Sequence, residues 1–172
     1  MEKKIYIVNG MGGCGKDTFA TFLRKCVPGV YKTSAIDKIK CIAKILGWNG
    51  GKTEKDRKFL SDLKCLTTAY NDFAFNVLKE EVEDFRIYCD STVLLIDIRE
   101  PEEIDRAKKE FNAKTILIEN PRVPHIHSNM ADDRVFEYDY DCVIRNDGTL
   151  EQFYEIVKIW ARKEGLMRGI CE

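Results

Sequence analysis

The sequence predicts an α/β fold in three layers, with a central parallel sheet of five strands and helices on both faces. Short apolar segments alternate with amphipathic ones along the 172 residues, a pattern typical of parallel strands joined by helices. Residues 92–98, TVLLIDI, are apolar almost throughout, which indicates a strand buried on both faces. A glycine-rich turn at residues 10–15 joins the first strand to the first helix.

Apolar runs and chain-breaking residues place the elements in order. We expect strands over 4–9, 30–34, 92–98, 114–119 and 142–146. The first helix runs from Lys16 to about Cys26 and is closed by Pro28-Gly29. Helical spacing predicts one buried face in 35–46, and two further helices occupy 54–86. That predicted face carries Ile36, Ile39, Ile42, Ala43 and Leu46.

Two more helices are predicted in the last third of the chain. Pro101 suits a helix start, and acidic residues in the following turn favour the helix dipole. Thr149 is the expected N-cap of a final helix that reaches about Lys163. The whole chain, 1–172, reads as one domain with a helical segment over about 35–86. A loop or lid over about 120–140 lacks periodicity and contains two prolines.

The composition of the chain limits the classes of function that it can have. Hydrophobic residues make up 44%, charged residues 33%, and the formal net charge is −1. Such a balance is typical of a folded domain and provides no strong field for nucleic acid or anionic membrane. No apolar run has the length of a membrane span, and the N-terminus lacks the pattern of a signal peptide. Seven cysteines without a C-x-x-C pair predict reduced thiols and a cytoplasmic protein.

The glycine-rich turn has the spacing of a phosphate-binding loop (P-loop). Residues 10–16 read GMGGCGK, which is Gly-x-x-x-x-Gly-Lys at a helix start. Glycines let backbone N–H groups surround an anion, while the helix N-terminus and Lys16 add positive charge. The alternative is a structural turn with a solvated lysine. The predicted ATP-binding residues here are Gly10, Gly12, Gly13, Cys14, Gly15, Lys16, Asp17 and Thr18.

Two aspartates are candidate ligands for Mg²⁺. Asp17 stands where a serine or threonine hydroxyl usually ligates the metal. Asp97 ends the strand over 92–98, and such strand ends face the ligand crevice of a parallel sheet. Mg²⁺ prefers oxygen ligands, so a carboxylate can replace the hydroxyl. The alternative for Asp97 is an acid satisfied by local N–H groups.

Arginines are candidates for holding phosphoryl oxygens. Arg99 lies two residues after Asp97, on the same face of an extended segment, where it could grip a phosphate bidentately. Arg122 and Arg134 flank the predicted lid and could close over the transferred group while excluding water. The alternatives are ion pairs, with Glu102 or Glu103 for Arg99 and with Asp132, Asp133 or Glu137 for the lid arginines.

The segment between the second and third strands is expected to meet the phosphate acceptor. Lys38 and Arg57 lie there and are candidate contacts with it, although lysines on a helix face are usually solvated. His127 in the lid is a candidate hydrogen-bonding partner of the substrate. A metal site at His125 and His127 lacks further ligands at suitable spacing.

Several blocks resemble the P-loop (deoxy)nucleoside monophosphate kinases, and the phage-type deoxynucleoside monophosphate kinase branch in particular. VNGMGGCGKDT is similar to that branch's P-loop, whose usual form is Gly-Lys-Asp-Thr; animal phosphomevalonate kinases have a related Gly-Lys-Asp. SAIDKIK, LIDIREPEEIDRAKK and RNDGTLEQF resemble further blocks of the branch in matching order. The lid differs, because His127-Ser128-Asn129 stands where His-x-Ser-Glu is usual.

The resemblance implies a P-loop kinase fold and ATP- and Mg²⁺-dependent phosphoryl transfer to a nucleoside monophosphate. It places Ser34 at the acceptor site and Asn146 and Gly148 in a loop near the adenine. We expect in-line transfer by positioning and charge stabilisation, with a small-molecule partner and a monomeric or homodimeric chain. The alternatives are a kinase of another small phosphorylated metabolite, such as phosphomevalonate or dephospho-coenzyme A, and a non-catalytic nucleotide-binding protein.

Overall fold

A computed structural model describes residues 2–123 and 134–167. It contains five strands and six helices in these residues. In chain order they are β1 (Lys4–Asn9), α1 (Lys16–Cys26), β2 (Val30–Ser34), α2 (Asp37–Ile45), α3 (Glu54–Asn71), α4 (Phe73–Ile87), β3 (Val93–Asp97), α5 (Pro101–Phe111), β4 (Lys114–Glu119), β5 (Cys142–Arg145) and α6 (Leu150–Lys163). The predicted α/β architecture is confirmed, and a 3₁₀ turn at Val135–Glu137 precedes β5.

The strand order β2-β3-β1-β4-β5 puts β1 in the middle of the sheet. Its neighbours β3 and β4 both run parallel to it. The register pairs Val8 with Asp97, close to the carboxyl ends of both strands. The chain leaving β1 therefore enters its glycine-rich turn beside the last residue of β3.

One face of the sheet is covered by α1 and α6. Helical spacing puts Phe19 and Leu23 of α1 on the buried side, where they join strand residues such as Tyr6 in one core. Trp160 of α6 packs edge-on against Tyr6 and Phe19, with ring centroids 5.1 and 5.3 Å apart. Such aromatic contacts add to the area that the pair buries and fix α6 over the centre of the sheet.

The opposite face of β1 and β4 is covered by α5. This helix begins at Pro101 as predicted, and it buries Ile104, Ala107 and Phe111. Because side chains alternate along a strand, Ile5 and Ile7 of β1 point away from the face that Tyr6 occupies. Both are buried, so the central strand is covered on its two sides.

The chain divides into two compact units, one formed by Met1–Lys32 with Asp90–Glu172 and the other by Thr33–Cys89. The second unit contains α2, α3 and α4 and includes the predicted segment over 35–86. Within it the Thr33 hydroxyl donates to Glu81, and α3 begins with a capping box between Thr53 and Asp56.

Leu46, predicted on the buried face of α2, follows the end of that helix and is 62% exposed. The prediction was wrong because Gly47 takes a left-handed conformation that turns the chain away. Among residues 2–123 and 134–167, no helix is both long and apolar enough to cross a membrane.

A polar clamp holds the start of β5 against β4. The backbone N–H and hydroxyl of Thr115, which is fully buried, donate to Oδ2 of Asp141 at 2.8 and 2.9 Å. The N–H of Asp141 donates back to Oγ1 of Thr115, and Lys108 Nζ lies 2.7 Å from Oδ1 of Asp141. Burial opposes ionisation, but these hydrogen bonds outweigh it and hold the pKa of Asp141 below its usual range.

We predict that Asp141→Ala lowers the free energy of unfolding by about 2 kcal/mol, because it leaves two buried donors of Thr115 without an acceptor. Urea unfolding at pH 7 measures this loss. Asp139, which is exposed, provides the matched control Asp139→Ala.

The same pair of variants checks the ionisation of Asp141. A carboxyl with a lowered folded-state pKa contributes stability above its unfolded pKa, and that contribution disappears as pH falls through the folded pKa. The difference between wild type and Asp141→Ala should therefore shrink in acid. An effect of equal size at all pH values would contradict the charged clamp.

Candidate nucleotide-binding site

The P-loop occupies residues 10–15, between β1 and α1. Three of its glycines take positive φ angles, of 147° at Gly10, 82° at Gly13 and 108° at Gly15. Residues other than glycine rarely adopt positive φ angles, because their Cβ atom clashes with the backbone. The loop conformation therefore depends on these three positions, and the pattern Gly-x-x-Gly-x-Gly is needed for its shape.

Two glycines of the loop differ in what surrounds them. A Cβ at Gly10 would lie 2.4 Å from the carbonyl oxygen of Ile118 in β4, and a backbone atom of a central strand cannot move aside. A Cβ at Gly12 would meet nothing within 4 Å. The start of the loop is thus packed against the sheet, whereas Gly12 is at its open side.

Lys16 is the first residue of α1, and its side chain folds back over the loop. Its Nζ donates to the carbonyl oxygens of Gly10 and, at 2.9 Å, of Met11. The ammonium and the N-terminus of α1 are thereby both directed to the loop. A helix N-terminus attracts anions through its free N–H groups and its dipole, and Lys16 adds a full charge at the same place.

Asn146, just after β5, holds the loop from the side. Its Nδ2 donates to the carbonyl oxygen of Cys14 at 2.9 Å, and its own N–H donates to Glu119. A Cβ at Gly15 would lie 2.5 Å from that Nδ2, so the contact requires a glycine there. Burial raises the pKa of the Cys14 thiol, which therefore stays protonated at neutral pH.

Asn9 is a site residue that sequence reasoning missed. Its side chain is fully buried; Oδ1 accepts from the N–H of Gly10 at 2.7 Å, and Nδ2 donates to the carbonyl of Arg99 and to the Tyr140 hydroxyl. That hydroxyl donates on to Val135, and burial raises the pKa of Tyr140 to about 12. A polar residue closing an apolar strand was the available signal.

The two predicted metal ligands are brought to one cation. Asp17 lies in the first turn of α1 and Asp97 at the end of β3. Lys32 of β2 places its Nζ 2.5 Å from Oδ1 of Asp17 and 2.8 Å from Oδ2 of Asp97. Sequence reasoning also missed Lys32. The available signal was a charged residue within a strand of a buried sheet, because such a residue needs an acidic partner.

Burial and charge set the ionisation of this trio. Burial raises the pKa of Asp97, although Lys32 and Lys16 oppose it. For Lys32, burial would lower the pKa, but hydrogen bonds to Asp17 and Asp97 outweigh it and raise the pKa. Lys32 is therefore a full positive charge at neutral pH. Carboxylate oxygens that converge on a cation also suit Mg²⁺, which typically takes one or two carboxylates and completes its shell with water and substrate phosphates.

The three arginines have distinct surroundings. Arg99 follows β3 and is half-buried. Arg122 donates to the carbonyl oxygens of Gly148 at 2.7 Å and Asn146 at 3.5 Å, so it holds the turn that was predicted to pass near the adenine. The guanidinium of Arg134 forms a bidentate ion pair with the carboxylate of Glu102, with N–O distances of 3.1 and 2.7 Å. Its Nε also donates to Oε2 of Glu137 at 3.2 Å. The pair with Glu137 was one of the alternatives, and the phosphoryl contacts of all three stay predictions.

The predicted acceptor residues lie in the second unit or outside the described residues. Ser34 Oγ accepts from the N–H of Ile36, while Lys38 and Arg57 are exposed. His127 falls within 124–133, outside the described residues. Thr18 is half-buried in the first turn of α1, next to Asp17. Their contacts with a substrate stay predictions.

Solved structures of other proteins share this fold. The tunicamycin resistance protein of Deinococcus radiodurans is 16% identical, with 96% of this chain and 98% of that one covered and a TM-score of 0.60. Shikimate kinase of Bacteroides thetaiotaomicron is 15% identical over 95% and 99% of the two chains, with a TM-score of 0.53. Shikimate kinase of Aquifex aeolicus is 15% identical over 95% and 98%, with a TM-score of 0.51.

These likenesses confirm the predicted fold. The chain has the three-layer architecture of P-loop kinases. No protein-family model and no curated protein matches the sequence, so the phage-type branch stays a prediction.

We predict that Gly10→Ala and Gly12→Ala differ sharply. Gly10→Ala combines a left-handed φ with a collision against the backbone of β4 and should lower the free energy of unfolding by about 3 kcal/mol. Gly12→Ala meets open space and should change it by less than about 0.5 kcal/mol. Urea unfolding of the two variants measures both effects, and equal losses would contradict the loop geometry.

Proposed function

We propose that the chain is an ATP-dependent phosphotransferase that acts on a small molecule. The observation that carries this proposal is the P-loop with Lys16 at its helix start, set beside the carboxylates of Asp17 and Asp97. A loop that only connects a strand to a helix has no need of three left-handed glycines, an inward-folded lysine and two converging acids. The shared fold with kinases of known structure supports the same reading.

The residues of the site divide the work of binding. Backbone N–H groups of the P-loop and of the start of α1 would hold the β- and γ-phosphates of ATP, and Lys16 would add its positive charge there. Asp17 and Asp97 would hold Mg²⁺, with the hydroxyl of Thr18 in the same turn. The bound metal would neutralise charge on the β- and γ-phosphates. Asn9 and Asn146 position the loop, and Asn146 and Gly148 would also lie near the adenine.

The transfer step needs positioning and charge stabilisation more than covalent chemistry. Lys16 and Arg99 would face the equatorial oxygens of the transferred group, on which charge is spread in the transition state. Arg122 and Arg134 would approach from the lid. The pair between Arg134 and Glu102 is exposed on both sides, and water and salt screen the attraction in such surface pairs. A phosphoryl group can therefore compete for this arginine.

The acceptor that we propose is a nucleoside monophosphate. Support comes from the blocks over 34–40, 95–109 and 145–153, which resemble those of deoxynucleoside monophosphate kinases. An ionised phosphate is itself the nucleophile, so the mechanism needs no general base. Ser34, Lys38, Arg57 and His127 are the proposed acceptor contacts. We further propose a cytoplasmic monomer or homodimer, consistent with free thiols at the described cysteines.

An acceptor panel tests the proposal. ATP is incubated with each ribo- and deoxyribonucleoside monophosphate, with phosphomevalonate, dephospho-coenzyme A and shikimate, and with water alone, while ADP release is followed. We expect release well above the water blank with one or more nucleoside monophosphates. Transfer only to another acceptor would overturn the acceptor class but keep the phosphotransferase. Tight ATP binding without any transfer would indicate a non-catalytic binding protein.

We predict that Lys16→Met lowers kcat/KM on the best acceptor about a hundredfold or more, the scale of removing one preorganised stabilising group. The matched control is Lys25→Met, at the exposed far end of the same helix, which should keep wild-type activity. Circular dichroism establishes that both variants fold. Full activity of folded Lys16→Met would sink the proposed site.

A further inference from the structure

The ammonium of Lys32 stands where the carboxylates of Asp17 and Asp97 converge. Its Nζ is within hydrogen-bond distance of both, at 2.5 and 2.8 Å. The side chain of Lys32 is only 17% exposed and that of Asp97 22%, whereas that of Asp17 is 95% exposed. Lys32 thus sits in a pocket of negative charge that is open to water on the Asp17 side.

We propose that Lys32 holds the cation position between Asp17 and Asp97 in the nucleotide-free protein, and that a divalent cation binds there only by displacing it. This inference rests on the proposed function, because it takes the two aspartates as metal ligands. It adds a role for a residue outside the P-loop: a built-in competitor of the metal.

The competition follows from size and charge. Mg²⁺ binds carboxylate oxygens at about 2.0–2.1 Å, and oxygens that both point at one ammonium leave no room for a second cation between them. Two cations a few ångströms apart also repel each other, more strongly at a partly buried site than in water. The metal and the Lys32 ammonium therefore exclude each other from the same oxygens.

The side chain of Lys32 can move away from the two carboxylates. Its backbone lies in β2, an edge strand of the sheet, so only the side chain has to move. Lysine carries its charge on a flexible four-carbon stem, and the exposed side of Asp17 offers a path to solvent. No rearrangement of the strand is needed.

The charge of the site indicates when the metal can displace the Lys32 ammonium. Asp17 and Asp97 contribute two negative charges, Lys32 cancels one of them, and the charge of Lys16 opposes the other. The four groups together are a poor attraction for a strongly hydrated divalent cation. Nucleotide phosphates add negative charge at the neighbouring P-loop, so the metal would enter together with the nucleotide and not before it.

Metal binding without nucleotide tests this directly. The full chain is titrated with Mn²⁺, and free Mn²⁺ is measured by electron paramagnetic resonance. Lys32→Met removes the competing charge and should bind Mn²⁺ about tenfold more tightly than wild type, or better. Lys32→Arg keeps the charge and should bind like wild type. Lys158→Met, at an ion pair with Glu155 on α6 where the lysine is 25% exposed, should also leave the affinity unchanged.

Two further variants make the result decisive. Lys32→Gln is uncharged but keeps a hydrogen-bond donor, and it should repeat the gain if Lys32→Met does not fold. Adding Asp17→Asn to either variant should abolish the gain, which localises it to the carboxylate pair. An unchanged or weaker affinity in the folded uncharged variants would overturn the proposal and leave Lys32 as a structural tie.

The readout separates this inference from the proposed function. Mn²⁺ binding is measured without ATP or acceptor, so it does not depend on phosphoryl transfer. A chain that transfers nothing in the acceptor panel can still show the gain. Conversely, an active enzyme whose uncharged Lys32 variants bind Mn²⁺ no better would refute the competition alone.

Discussion

The parallel pairing of β1 with β3 is the constraint on which the candidate site depends. The register sets Val8 beside Asp97, so the chain that leaves β1 as the P-loop starts next to the carboxylate that ends β3. Both strands are buried almost throughout, and a slip in their pairing would expose apolar side chains or bury polar ones. The core thereby fixes the spacing between the glycine-rich loop and its acidic neighbour.

Two side-chain amides, Asn9, which is fully buried, and Asn146, which is half-buried, connect the sheet to the loop. Asn9 holds the N–H of Gly10 and ties β1 to the chain after β3, while Asn146 holds the carbonyl of Cys14 from the end of β5. Breaking a hydrogen bond between buried groups costs more free energy than breaking an exposed one, because the donor or acceptor left behind cannot form a hydrogen bond with water instead. The loop is therefore shaped before any ligand arrives, which reduces the ordering that binding requires.

The sequence predicted the parts of the molecule that depend on neighbours along the chain. The bounds of β1, α1, β2 and β4 follow from apolar runs, glycine and proline, and the helix start at Lys16 follows from its motif. Contacts between distant segments were not accessible in this way. Lys32 meets Asp97 only because β2 lies beside β3, and Asn146 reaches Cys14 across 132 positions; neither strand order nor packing is readable from local pattern.

The replacement of a hydroxyl by Asp17 and the presence of Lys32 are best understood together. A serine or threonine after Lys16 would add no charge. Burial is the main cause of the raised pKa of Asp97, and Asp17 adds a second carboxylate whose charge raises it a little further. Lys32 offsets that repulsion by binding both groups. Lys16, Lys32, Asp17 and Asp97 then sum to zero charge. In the proposed site, anionic phosphates at the loop would shift this balance towards a divalent cation and away from the lysine.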